Sequence, residues 1–158
     1  MFDQINGLPV HVLVLHAAVV FVPLLALGAV VYALVPRWRP RMGWALGLLA
    51  IVAPASALVA MASGTQLYNR LLDQGLSGPG KEILDDHMGY GQLTAWLTLG
   101  LGVVSLVMVA LTWRRGSTRL PLPGELGGAV ALIVLAALSG YFVFQTGDSG
   151  ATAVWGSY

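Results

Sequence analysis

The chain contains no cysteine. That absence excludes disulfides, thiolate metal sites, iron–sulfur clusters and covalent c-type haem attachment. Charge is scarce as well. Asp, Glu, Lys and Arg make up 9% of the 158 residues, against roughly 25% in an ordinary soluble domain. The net charge is +1, so no basic field points to nucleic acid. A catalytic triad, a P-loop and a dinucleotide fingerprint are all absent. No catalytic residue is assigned, and no independent enzymatic activity is expected. The opening MFDQING lacks a cationic segment, so the first apolar run is expected to be a retained helix and not a cleaved signal peptide.

What is there is apolar: 57% of residues are hydrophobic and the mean hydropathy is +0.78. Four uncharged runs follow one another, Leu8–Pro36, Met42–Asn69, Met88–Trp113 and Leu126–Gly147. Each exceeds the roughly 20 residues that cross a bilayer. The pattern predicts an all-α integral membrane protein, a multi-pass up-down bundle of four transmembrane helices in one membrane domain. The helices are placed at about 8–36, 42–66, 82–113 and 124–147, with the breaker cluster QGLSGPGK between the second and third. Pro23 and Pro54 fall inside the first two helices. Each removes a backbone donor and should kink its helix. Membrane bundles tolerate this where neighbours satisfy the freed carbonyl.

Cation placement orients the chain. Of the eight Lys and Arg residues, Arg37, Arg39, Arg41, Arg114, Arg115 and Arg119 lie in the first and third connections. Arg70 and Lys81 lie in the second, among Asp73, Glu82, Asp85 and Asp86. The positive-inside rule makes connections one and three cytoplasmic and both termini extracytoplasmic. Trp38, Trp44 and Trp113 then fall at the inner interface, with Trp155 and Tyr158 at the outer one. Acidic residues near the start of helix three complement its N-terminus. Small residues recur at four-residue spacing, as in Gly43/Gly47, Ser56/Ala60, Gly124/Gly128 and Ala136/Gly140. Such steps let helices approach closely within the bundle, or else form a face for self-association or for another membrane subunit.

The polar residues concentrate in the outer half: His11 and His16 on helix one, His87 at the start of helix three, Ser63, Thr65 and Gln66 closing helix two, and Asp148 ending helix four. Nothing comparable is read in the cytoplasmic half. With the membrane beginning near Pro9, His16 lies about 10 Å deep, at about 1.5 Å per residue. An ionisable group at that depth should face the interior and have a partner. His11 and His16 are about 140° apart around the helix, so only one can face the axis. His16, being deeper, is expected to be the buried one, with His11 snorkelling outward. His16, His87 and Asp148 are expected to converge. Four chemistries suit such a cluster. A b-type haem could take His16 and His87 as axial ligands, with Gly89 and Gly91 giving room to the macrocycle. A divalent metal could take His16, His87 and Asp148. A proton relay is a third reading, and a cofactor-free hydrogen-bond network a fourth.

Taken in order, GLPVHVLVLHAAVVFVPL, the helix-two ending ASG, DDHMGYGQ and the closing TGDSGATAVWG resemble a bacterial four-helix membrane family catalogued as domain of unknown function 2231. The resemblance covers nearly the whole chain. It implies four membrane helices in a bacterial plasma membrane and a link to b-type-cytochrome-like membrane proteins, and it supplies no established activity. His11 and His16 stand where the family has a His-Pro-Leu-Val-Val-His-like pair, with Val12 in place of its proline. His87 matches a histidine opening the third helix. Asp148 departs from a closing Gly-His-Ser-Gly. His11, His16 and His87 are the candidate cofactor-binding residues, and a small haem- or metal-binding redox or accessory protein is the expected role. The alternative is a cofactor-free structural subunit of a larger membrane assembly.

The orientation is directly testable. Reporter fusions after Arg39 and Arg115 should read cytoplasmic, and those after Gly78 and Tyr158 external. The inverse pattern would move the histidine layer to the other side of the membrane.

Overall fold

A computed structural model describes residues 4–5, 8–115 and 118–156 of the chain; Tyr158 lies outside them. Four helices carry the architecture: α1 (Val10–Leu34), α2 (Arg39–Asp73), α3 (Pro79–Arg115) and α4 (Leu122–Trp155). Each is long and apolar enough to cross a bilayer. Ahead of α1, β1 (Gln4–Ile5) pairs antiparallel with β2 (Leu8–Pro9), Gln4 opposite Pro9 and Ile5 opposite Leu8. A single 3-10 turn, Pro36–Trp38, joins α1 to α2. The helices form a square, in which α1 and α3 each pack on α2 and α4 and meet one another only across the diagonal.

Helix phase explains the square. On α1 the buried positions are Ala18, Val22, Leu25, Ala29 and Tyr32, and on α2 they are Leu46, Ala50, Ala53 and Ala57. On α3 they are Thr94, Thr98, Leu101, Ser105, Met108 and Thr112. These alternating steps of three and four keep one stripe inward, as in left-handed bundles. The stripes are rich in alanine and hydroxyl side chains, while Leu24, Leu27, Leu48, Trp96 and Phe144 face outward. Lipid tails already solvate large apolar groups, so close backbone approach supplies the packing energy instead.

Pro54 shows that closeness. Its ring leaves the Ala50 carbonyl without the usual helical donor. Gly102 of α3 lies directly against that oxygen, such that a Cβ there would sit 2.6 Å from it and 2.7 Å from the Pro54 ring. A neighbouring helix thus covers the exposed carbonyl. The small-residue steps divide differently from one another. Gly128 packs on Met108 inside the bundle, whereas a Cβ on Gly47 would meet nothing within 4 Å, and Gly47 lines an open groove.

α2 and α4 run well past positions 66 and 147, to Asp73 and Trp155. Polar residues at those ends are compatible with helix once the chain has left hydrocarbon and its side chains reach water. α2 stops at Gly75, whose φ of 92° is a left-handed conformation that favours glycine. The Leu76 N–H bonds the Leu71 carbonyl and the Gly75 N–H that of Leu72, a Schellman ending. Beyond it Asp85 accepts hydrogen bonds from Lys81 and Tyr68 and ties the two helices at this end.

The arginine-bearing end is not the polar blank that the sequence reading expected. Arg39 is buried, its side chain only 2% exposed, and it pairs with Glu125. Nη2 and Nη1 donate to the two carboxylate oxygens at 2.8 and 2.9 Å. Nε donates to the Tyr32 carbonyl at 2.9 Å, Nη1 to that of Thr118 at 2.8 Å and Nη2 to that of Ala33 at 3.4 Å. Five N–H groups thus meet five acceptors. Tyr32 and Ala33 stand in the last turn of α1, whose carbonyls have no helical donor. Glu125 stands in the first turn of α4, where a carboxylate suits the helix dipole, and accepts the Leu120 N–H as well. The Tyr32 ring lies under the guanidinium, 5.1 Å away, and its hydroxyl bonds Thr112 of α3.

Removing one member of a buried pair typically costs about 3–5 kcal/mol. Arg39→Ala should therefore lower thermal stability in detergent by that order. Arg39→Lys should not restore it, because an ammonium cannot serve a bidentate fork and helix-end carbonyls together. Unchanged unfolding of Arg39→Ala would show that the network contributes nothing.

Candidate functional site

At the opposite end the bundle closes around two imidazoles. His11 stands in the first turn of α1 and leans on α2. Its Nδ1 lies 3.0 Å from the Ala60 carbonyl oxygen and 3.4 Å from Ser63 Oγ. His87, near the start of α3, leans on α4 in the same way, with Nδ1 3.0 Å from the Thr146 carbonyl oxygen and 3.1 Å from Ser149 Oγ. A carbonyl oxygen only accepts, so each Nδ1 carries a proton and donates it. In the neutral ring that leaves the Nε2 lone pair unused. The serines fit this scheme, since each hydroxyl donates to a carbonyl of its own helix, Ser63 to Ala60 and Ser149 to Gln145, and so can accept from imidazole.

A glycine follows each serine, and the reason is steric. A Cβ on Gly64 would lie 3.1 Å from His11 Cε1, and one on Gly150 would lie 3.0 Å from His87 Cε1. Each ring therefore rests on bare helix backbone. In both contacts Nε2 is the ring nitrogen farther from that Cβ position, at 3.8 and 3.9 Å, against 3.2 and 3.3 Å for Nδ1. The two rings meet at 6.2 Å between centroids, with planes 86° apart. Behind them Thr94 and Thr146 share a hydrogen bond of 3.0 Å between α3 and α4, and the Tyr90 and Phe142 rings pack one against the other.

This is not the convergence expected from depth. His16 is exposed on the outer face of α1, and its Nδ1 lies 2.7 Å from the Val12 carbonyl oxygen of its own helix. An intrahelical carbonyl satisfies a histidine at that depth without any partner in the interior. The expected exchange of roles is thus reversed: His11 faces inward and His16 outward. Asp148 is likewise exposed, and its neighbour Ser149 makes the contact with His87. His16, His87 and Asp148 are not brought together. Among the described residues no three His, Asp or Glu side chains form a group able to hold a metal ion. Gly89 is exposed, and a Cβ on Gly91 would only touch the Thr146 methyl at 3.9 Å, so neither lies at the ring pair.

Phase, and not depth, was the available signal. His11 is seven residues before Ala18 and His87 seven before Thr94, on the stripes that bury Ala18, Leu25, Thr94 and Leu101. His16 and Asp148 fall off their helices' stripes. Ser-Gly recurs at 63–64, 77–78, 139–140 and 149–150, and the first and last of these face a histidine on the preceding helix.

No curated protein and no solved structure matches the chain. A family described as "Predicted membrane protein (DUF2231)" matches residues 7–157. That match spans His11 and His87, the Ser63–Gly64 and Ser149–Gly150 pairs beside them and all four membrane helices, and the chain belongs to this family of multi-pass membrane proteins.

Proposed function

We propose that the protein is a small redox or accessory protein of the bacterial plasma membrane. In this reading both termini are extracytoplasmic, and His11 and His87 form an outer-side ligand pair for a b-type haem or a metal ion. One observation carries it: two imidazoles from diagonal helices, each fixed through Nδ1, stand 6.2 Å apart between centroids. Two nitrogens bound to one metal at about 2.0–2.1 Å each place their ring centroids roughly 6 Å apart. The donor set suits such a centre. Ligating histidines commonly donate the other ring N–H to a backbone carbonyl, which fixes the tautomer and raises basicity. Ala60 and Thr146 supply those carbonyls here.

Held by His11 and His87, an iron would supply one-electron chemistry. The remaining work belongs to the chain. Ala60 and Thr146 hold the rings. Gly64 and Gly150 let the rings come close to α2 and α4. The helices around them exclude water on the membrane side. With two imidazoles and no carboxylate, the pair adds no negative charge of its own, which favours haem or a soft ion over magnesium or calcium.

A second reading has its own support. The same Nδ1 contacts tie α1 to α2 and α3 to α4 with no added group, as a cofactor-free subunit of a larger membrane assembly requires. The visible spectrum and metal content of detergent-purified protein separate the two. The redox reading expects a Soret band with sharp reduced peaks, or bound metal that acid releases as the imidazoles protonate. His11→Ala and His87→Ala should each cut cofactor content by an order of magnitude or more, while His16→Ala and Asp148→Ala leave it unchanged. A folded, colourless, metal-free protein would refute the redox reading. So would cofactor content that follows His16 in place of His11.

A further inference from the structure

At the arginine-bearing end, a groove of about 730 Å³ runs between α2 and α3. Its α2 wall reaches from Pro40 through Gly43 and Gly47 to Ile51, and Leu106 and Val109 form part of the α3 wall. Trp44 and Trp113 stand at its sides, 75% and 83% exposed. Gly47 has nothing within 4 Å of where a Cβ would be. The four-residue glycine step here opens a channel on the lipid-facing surface.

We propose that this groove is a binding site for one acyl chain of an anionic phospholipid, with the headgroup held by the exposed arginines around its mouth. Length supports the occupant. From Pro40 to Ile51 the wall extends about 16 Å, at about 1.5 Å per residue, close to half of the roughly 30 Å hydrocarbon core. The groove thus has the depth of one leaflet. Chemistry inside it supports an alkyl chain. The polar groups that reach its floor are already engaged, Arg39 by Glu125 and three carbonyls, and the Tyr32 hydroxyl by Thr112. These buried floor groups have no capacity left for the polar body of an occupant, and the remaining polar lining, Thr118 and the indoles of Trp44 and Trp113, is exposed.

Charge at the mouth selects the headgroup. Arg37 and Arg41 flank the Arg39–Pro40 corner, and Arg114 and Arg115 follow Trp113; all four are exposed. Anionic headgroups gain from each such cation. The same arginines argue against a second copy in the groove. Docking one α2 against another on Gly43 and Gly47 would bring like charges together at the mouth, and among the described residues no acid pairs with these four.

The test uses the full chain with Trp38, Trp96 and Trp155 changed to Phe, so that only Trp44 and Trp113 report. It is reconstituted in phosphatidylcholine vesicles containing phosphatidylglycerol with brominated chains, and separately in vesicles containing brominated phosphatidylcholine. Helicity by circular dichroism verifies the fold of each variant. Brominated phosphatidylglycerol should quench with an apparent preference of about five-fold for each arginine engaged. Gly47→Leu, which fills the groove, should abolish the preference, and the milder Gly47→Ala should reduce it. Arg41→Gln with Arg114→Gln should cut the headgroup preference by about five-fold for each arginine engaged, while quenching by brominated chains persists. Equal quenching by the two lipids, or a preference untouched by Gly47→Leu, would overturn the proposal. Quenching that falls as protein density rises would assign the groove to a second copy and overturn it equally.

Discussion

A guanidinium at the edge of hydrocarbon must give up its water, and Arg39 can do so because five acceptors surround it. The acceptors come from three places that the chain reaches separately: the end of α1, the connection before α4 and the first turn of α4. The same contact closes the α1 helix end, compensates Glu125 and, through Tyr32, reaches Thr112 of α3. A membrane protein has no hydrophobic effect to hold its helices together. A fully satisfied buried charge network therefore sets helix order and register at this end, since a partial one would be more costly than none.

The histidine end obeys the same constraint with weaker groups. Each helical hairpin uses one device: an imidazole on its first helix, and a carbonyl, a serine three residues on and then a glycine on its second. The carbonyl fixes the ring and the glycine admits it. Because the device occurs in both hairpins, and the hairpins face one another in the square, the rings meet between the helices at this end of the bundle. Through Nδ1 the two rings tie helices, and the proposed ligand role does not conflict with that, since it would use Nε2. Between the two ends, alanines, hydroxyls and Gly102 keep the helices close enough for the polar ends to stay in register.

Between the helices the open groove contrasts with the closed interior. Gly47 and Gly102 are both small residues on neighbouring helices, yet a Cβ on the first would meet nothing within 4 Å and one on the second would sit 2.6 Å from a carbonyl oxygen. The composition of a helix does not distinguish these cases. Which side of the helix faces a partner decides whether a glycine packs protein or is left to lipid.

Four apolar runs of sufficient length, short connections and an absence of charge determined the class of this protein and its helix count, because hydrocarbon tolerates no other backbone arrangement for such segments. The family was legible in the ordered motifs around His11, His87 and Gly147–Gly150. Facing was legible too, in the seven-residue steps from His11 to Ala18 and from His87 to Thr94, although depth alone pointed to His16. Tertiary structure alone decided the partners. The Ala60 and Thr146 carbonyls are backbone atoms with no sequence signature, and Arg39 has the same composition as its exposed neighbours Arg37 and Arg41. Its burial follows from Glu125, 86 positions away, being carried to it by the return of α4. Local sequence states which groups are polar. Only the packing of distant helices determines which of them lose water and must find one another.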